Sequence, residues 1–439
     1  MRVKIEKLVY GGEGLAHNDG ATLFVPFTLP GEEVEASATE RTKKVTRCQL
    51  EHVLIPSPER IEPACPYFRT CGGCHYQHIS YEAQLRFKEE ILRETLRRLG
   101  RLDWPRPITV HASPPWGYRN RAQWKIRPLR NQSTQEAAHS EDRDALGIGY
   151  FRAGSSTLCP VETCAILSPK LSRVLDDLRH ALAERKLPQE LLEVEAFADA
   201  DDEKLFLNAS CSSLRGNRKT LAQELSRMVP GVESVLLQDA AGERMELNGP
   251  GFLRYRVGDK TFRVGHLSFF QVNRFLLEEM ARSVAKAARS GELAFDLYAG
   301  VGLLSAFLAE TFAEVHAVEA DPAAARDLEV NAAASGKNIL RHNLAAETFL
   351  SQWKRKRGAK APDVIILDPP RAGLEARALR MLLEVSAPRI LYVSCDPATL
   401  ARDLAQLCAK SYNVEEIHLF DMFPQTYHME TLVRLEREQ

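Results

Sequence analysis

Leu293-Ala-Phe-Asp296-Leu-Tyr-Ala-Gly300-Val-Gly302 is an apolar run that stops in a glycine-bearing turn, and its surroundings decide the fold. A helix is expected over roughly 274–289, the strand Leu293–Leu297 follows, and a second helix begins at Leu303. The next strand is Glu314-Val-His-Ala-Val-Glu319, then a helix containing Ala323-Ala-Ala-Arg326, with further strands at Val364–Leu367 and Arg389–Val393. Strands alternating with helices build a doubly wound, Rossmann-like α/β sheet. Ligands of such sheets bind beyond the carboxyl ends of the strands.

Glycines in the 296–302 turn let the backbone approach a ligand closely. An isolated Gly-x-Gly often marks only a tight turn. Here Glu319 ends the next strand about 20 residues on, where a carboxylate can take ribose hydroxyls. The full Gly-x-Gly-x-x-Gly is missing, so the order fits a class I S-adenosylmethionine (SAM) methyltransferase better than a dehydrogenase. Asp368-Pro-Pro-Arg371 closes a later strand, and its prolines fix where Asp368 points.

The chain has 439 residues, 44% hydrophobic and 27% charged, which suits two to four ordinary globular domains. No apolar signal core opens it and no stretch approaches a membrane span, so a cytoplasmic protein without membrane attachment is expected. Formal charge is −1, so a nucleic-acid partner must be held by local basic surface. Nothing points to an obligate protein partner. Nine cysteines in such a chain are not a disulfide framework. Cys65-Pro-Tyr-Phe-Arg-Thr-Cys71-Gly-Gly-Cys74 gathers three of them in ten residues, as a metal or cluster requires. From spacing alone, zinc and iron are equally plausible.

Residues 1–56 read as an OB-like β-barrel of short alternating strands punctuated by Gly11-Gly-Glu-Gly14 and Leu29-Pro-Gly31. Arg41, Lys43, Lys44 and Arg47, with Phe24 and Phe27, would suit single-stranded nucleic acid or, equally, a solvated face over core phenylalanines. A helix is expected from Tyr81 to Leu99, and residues 106–260 form a separate α/β insert. Within it, Tyr118-Arg-Asn-Arg-Ala-Gln-Trp-Lys-Ile-Arg-Pro-Leu-Arg130 carries five positive charges and no acid, with Tyr118 and Trp124 interleaved. Phosphate attraction and base stacking would both be served there, although a basic edge strand would look the same. Asn131 to Asp144 reads as a mobile polar loop.

Ile390-Leu-Tyr-Val-Ser-Cys395-Asp-Pro397 delivers a cysteine to the end of an apolar strand of the doubly wound unit. Alone, such a cysteine is more often packing than nucleophile. Beside a methyl donor it gains a use. A thiolate added at C6 of uracil makes C5 nucleophilic, and a base must then remove the C5 proton. Asp368 and Arg371 could bind or polarise the pyrimidine, and Glu430 in His428-Met-Glu430 is the candidate base.

In Phe269-Phe-Gln-Val-Asn273, Asp296–Gly302, Asp368–Arg371, Val393-Ser-Cys-Asp-Pro397 and Asp421-Met-Phe-Pro424, the chain resembles the RNA (uracil-C5) methyltransferases. The resemblance implies Gln271, Tyr298, Glu319, Asp368 and, less directly, Asn343 as SAM contacts, Cys395 as nucleophile and Glu430 as base. Residues 1–56 look like a TRAM domain, an RNA-binding barrel, and the cysteines look like those of iron–sulfur members acting on 23S ribosomal RNA. On that basis Cys65, Cys71, Cys74 and a fourth cysteine, Cys164 in preference to Cys159, would hold a 4Fe–4S cluster. The expected substrate is 23S ribosomal RNA, with transfer RNA as the alternative, or a non-catalytic RNA-binding protein on the same fold. The expected domains are 1–56 (barrel), 57–265 (central, with the cysteines) and 266–439 (methyltransferase).

Overall fold

The computed structural model describes residues 1–438 except 43, 130–145, 215–217, 243, 336–337 and 359. Lys43, Arg130 and the expected loop Asn131–Asp144 lie outside the described residues. The N-terminal sheet has six strands, Arg2–Lys4, Lys7–Leu8, Glu13–Asn18, Ala21–Pro26, Glu33–Arg41 and Val45–Ile55. Alternation puts Val3, Leu23, Val25, Val34 and Leu50 inside it. Glu32 is buried at its base and accepts hydrogen bonds from Arg60 Nε at 2.6 Å and from the backbone of Leu29 at 2.8 Å. Phe27 does not stand free as a stacking ring. It packs edge-on against Phe68 of the cysteine loop, with ring centroids 5.2 Å apart.

A seven-stranded sheet follows, in the order Leu158–Pro160, Leu146–Phe151, Arg121–Pro128, Leu191–Ala198, Leu205–Cys211, Val232–Asp239, Met245–Asn248. The reading of Tyr118 and Trp124 as open stacking rings is overturned here: both are fully buried. The period of two in Arg121–Pro128 sends Ala122, Trp124 and Ile126 into the core and leaves Arg121, Gln123, Lys125 and Arg127 on the other face. Burying the apolar body of such a ring is worth roughly 3 kcal/mol.

The C-terminal sheet has eight strands: Ile339–His342, Phe312–Val318, Gly291–Leu297, Val364–Leu367, Arg389–Ser394, Glu430–Arg437, Tyr412–Phe420 and Thr109–His111. The first five are parallel, as the alternation predicts. Two features were not anticipated. Glu430–Arg437 inserts antiparallel between Arg389–Ser394 and Tyr412–Phe420. Thr109–His111, from the segment expected to belong to the central domain, forms the far edge. The helix Tyr81–Gly100 also leans on this body: a Cβ at Gly100 would stand 3.0 Å from the carbonyl of Ala401. Among the described residues no helix is long and apolar enough to cross a membrane.

That helix carries Lys88 into the interior, where Nζ donates to Asp421 Oδ1 at 2.5 Å and to the Phe423 carbonyl at 3.1 Å. Both side chains are fully buried. Lys88→Met would strand the Asp421 carboxylate, and a loss of about 3–5 kcal/mol is expected in chemical denaturation. Adding Asp421→Leu should recover most of it. If the single variant melted like the wild type, the pair would not be holding this segment.

Candidate active site

The turn after Gly291–Leu297 is built for a ligand. Tyr298, Gly300 and Gly302 have φ of 65°, 55° and 90°. Gly302 is obligatory twice over, because a Cβ there would also meet Leu328 at 2.6 Å. Asp296 is fully buried beneath the turn and accepts from Ser305 Oγ at 2.5 Å, while its Oδ1 has no hydrogen-bond partner among the described residues. Burial pushes its carboxyl up to about 7.

Glu319, just past Phe312–Val318, accepts from Gly300 N at 2.8 Å through Oε2 and from Asp321 N at 2.7 Å through Oε1. Asn343 is exposed and donates to the Glu319 and Ala320 carbonyls at 2.8 and 3.2 Å, so here it fixes the turn that carries Glu319. Gln271 is buried in the segment before the helix Leu277–Ala288. The neighbouring Phe269 is 69% exposed.

Strand register brings the chemical residues together. Leu367 lies opposite both Leu297 and Tyr392, so Asp368 projects between the glycine turn and the end of Arg389–Ser394. Cys395 follows Ser394, directly before Asp396, whose Oδ1 caps the helix Pro397–Cys408 through Ala398 N at 3.0 Å and Thr399 N at 2.9 Å. Thr431 is the register partner of Ser394 and donates to its carbonyl at 3.1 Å. Glu430, one residue earlier, therefore arrives beside Cys395. It is 3% exposed.

Burial, then Glu430, then Asp368 push the Cys395 thiol up to about 11, against an opposing hydrogen bond from Arg371. The helix N-terminus beyond Asp396 also favours a thiolate, but at about 0.3–1 kcal/mol it cannot offset that combination. Asp368 is raised to about 7 by burial and by Asp296 and Glu319. Glu430 is raised well above the carboxylate range, by burial first and Asp368 second, with Arg371 opposing. Each of these acids holds its proton more tightly than a free carboxyl, because ionised together they would repel one another.

Sequence reasoning missed a set of rings around this centre. Tyr10, from the barrel, hydrogen-bonds Asp396 and stands edge-on to Tyr427 with centroids 5.5 Å apart. Tyr427 contacts His428 at 4.2 Å and His75 at 4.6 Å. No local signal could have found them, because they come from distant segments. The stretch 421–430 is held from outside the sheet as well: Tyr118 Oη donates to the Pro424 carbonyl at 3.1 Å, Gln84 and Gln425 exchange hydrogen bonds, and Asn273 Nδ2 donates to the Met422 carbonyl at 3.2 Å.

Cys65, Cys71, Cys74 and Cys164 line one cavity of about 190 Å3 with Gln77 and Tyr150. Cys159 does not line it; its thiol is hydrogen-bonded to that of Cys71. Among the described residues, no three His, Cys, Asp or Glu side chains converge tightly enough for a single ion.

A doubly wound sheet with a glycine turn, a ribose-spaced acid and these strand-end residues defines a SAM-dependent methyltransferase. Comparison with known proteins narrows the class. Residues 80–438 match the tRNA (uracil-5-)-methyltransferase family, and residues 1–58 match the TRAM domain of tRNA (uracil(54)-C(5))-methyltransferase. The chain belongs to this family and is an RNA methyltransferase. It is 31% identical to an uncharacterized RNA methyltransferase of Aquifex aeolicus, across 99% of this chain and 98% of that one. A second, from Halalkalibacterium halodurans, is also 31% identical, across 99% and 96%. Among solved structures, Pyrococcus abyssi tRNA (uracil-54, C5)-methyltransferase in complex with S-adenosyl-L-homocysteine superposes with a TM-score of 0.75. The two are 25% identical, across 99% of this chain and 100% of that one.

Proposed function

We propose that this chain methylates C5 of one or more uridines in RNA through a covalent bond from Cys395, an assignment carried by the Cys395–Glu430 juxtaposition that the strand register produces. The Cys395 thiolate adds to C6, and the electron pair moves toward the C4 carbonyl. SAM supplies an electrophilic methyl group, which C5 takes up. Glu430 then removes the C5 proton, and the C6–S bond breaks to return the thiolate. Arg371 favours the thiolate, while Asp368 and Arg371 orient the ring. Gln271, Tyr298, Glu319, Asp368 and Asn343 are proposed to surround SAM. The orphaned Asp296 oxygen and the positive-φ turn suit a ligand with several donors. The division at 1–56, 57–265 and 266–439 is kept as a working proposal, with Thr109–His111 crossing it.

Cys395 must shed its proton before this sequence begins, and Glu430 must be ionised by the time the C5 proton leaves. Rate constants kcat/KM should therefore climb with pH over roughly pH 6 to 9, and Arg371→Ala should lower them throughout. A profile flat over that range would mean that neither ionisation gates the reaction.

The cavity lined by Cys65, Cys71, Cys74 and Cys164 is what supports a 4Fe–4S cluster on those four thiols. Burial pushes the Cys74 thiol up to about 12, a cost that binding to iron would remove. Cys74→Ser and Cys164→Ser should lose iron, sulfide and visible absorbance, whereas Cys159→Ser should keep them. Zinc in place of iron in the wild type would refute the assignment.

A substrate in 23S ribosomal RNA rests on the cysteine cavity. The TRAM barrel does not favour ribosomal RNA, since the matching TRAM domain and the superposed structure are both of transfer-RNA enzymes. That favours transfer RNA as a second reading. Transfer of labelled methyl from SAM to each RNA, followed by nucleoside analysis, decides between them. 5-Methyluridine in neither RNA would overturn both. Its occurrence in an RNA-modifying enzyme also makes the cytoplasm the proposed location.

A further inference from the structure

The basic face of Arg121–Pro128 needs an aromatic partner if it is to hold RNA, and Tyr118 and Trp124 do not provide one. Phe151 does. It ends the adjacent strand, and Lys125 Nζ and the Arg127 guanidinium lie 5.6 and 5.8 Å from its ring centre. The cysteine loop is tied to the same place, with Gly72 N donating to the Phe151 carbonyl at 3.0 Å. Between them lies a pocket of about 390 Å3 whose lining includes Gln123, Lys125, Phe151, Arg152, Gly73 and His75.

Two features give this pocket a purpose. Glu193 already pairs with Lys125, but among the described residues Arg152 Nε is buried without a hydrogen-bond partner. His75 forms one wall and also contacts Tyr427, which contacts His428 and Tyr10, and the Tyr10 hydroxyl reaches Asp396 beside Cys395. Half-buried rings thus run from the reacting thiol to a pocket with an aromatic wall and an arginine whose Nε has no partner among the described residues. An unpaired base stacks on such rings while its phosphate meets the cation.

We propose that this pocket binds one unpaired nucleotide close to the target uridine, its base against Phe151 and His75 and its phosphate at Arg152. The proposal rests on the RNA-methylation reading, because it takes the RNA strand to pass Cys395. It differs from the cofactor and target-base sites in requiring neither SAM nor turnover.

The test uses the full-length protein and a short oligouridine carrying a single 2-aminopurine, whose fluorescence falls when it stacks. Quenching is expected with the wild type for at least one position of the probe. Phe151→Ala should abolish it and weaken binding roughly 10- to 100-fold, the scale for a lost stacking ring. Arg152→Glu should weaken binding similarly but keep the quench at saturation, and it carries the test if Phe151→Ala fails to fold. SAM affinity should be unchanged in both. Wild-type binding and quenching in either folded variant would overturn the pocket. Failure of the methylation reading would look different: no methyl transfer by the wild type, with the quench and its loss in the variants intact.

Discussion

Cys395→Ala is expected to lower methyl transfer by roughly four orders of magnitude or more, the scale on which a covalent nucleophile is lost. The argument is geometric first. The thiol stands at a strand end, next to an exposed arginine and a buried acid, on the side of the sheet where the glycine turn opens. It is also electrostatic. With the thiol pushed up to about 11, a cysteine kept only for packing would be content as a neutral group. Arg371 bonded to that thiol makes sense when the anion is needed. SAM affinity should stay within about twofold of the wild type, since no backbone element of the glycine turn depends on Cys395. Equilibrium dialysis with labelled SAM, run beside the transfer assay, separates the two effects. Residual activity within tenfold of the wild type would remove Cys395 from the reaction.

Glu430→Gln should produce a different failure: turnover falls by about 10²- to 10⁴-fold while RNA remains attached to protein. Glutamine preserves the shape and the buried position but cannot take a proton from carbon. The methylated adduct then lacks the step that expels Cys395. A species resisting denaturation, containing both RNA and the transferred methyl group, should build up on a denaturing gel and vanish in the Cys395→Ala double variant. Lost activity without any adduct would place Glu430 before carbon–sulfur bond formation. Its raised proton affinity serves the proposed role, because a carboxylate that binds protons tightly is a stronger base once ionised.

How far the sequence carried the fold depended on whether the signal was local. Val364–Leu367 is an unbroken apolar run and is a strand with those bounds. The starts of Arg389–Ser394 and of the helix at Tyr81 were likewise legible, each element running one residue further than expected. Glu430 is named as base without any local sign of its burial, because nothing near it reveals that Glu430–Arg437 will slot into the middle of a sheet. Trp124 looked like a stacking ring because its basic neighbours dominate the composition, although strict alternation already assigned it to the opposite face. The preference for Cys164 over Cys159 came from a resemblance and remains part of the proposal; Cys164 lines the cavity with Cys65, Cys71 and Cys74. The rings at Tyr10, His75 and Tyr427 could not be read at all, because their meeting depends on how barrel, loop and sheet pack.

The place of Glu430–Arg437 has a consequence for how the enzyme is made. On the ribosome, the strands of the barrel and of the central sheet emerge before those of the C-terminal sheet beyond Thr109–His111. The strand bearing Glu430 is synthesised after every other strand of its sheet, yet it belongs between two of them. Until it arrives, Tyr412–Phe420 and Thr109–His111 have no seam to join, and Cys395 has no partner acid. A nascent chain could therefore touch RNA through its finished front half long before it could alkylate it. Competence is conferred in a single late step.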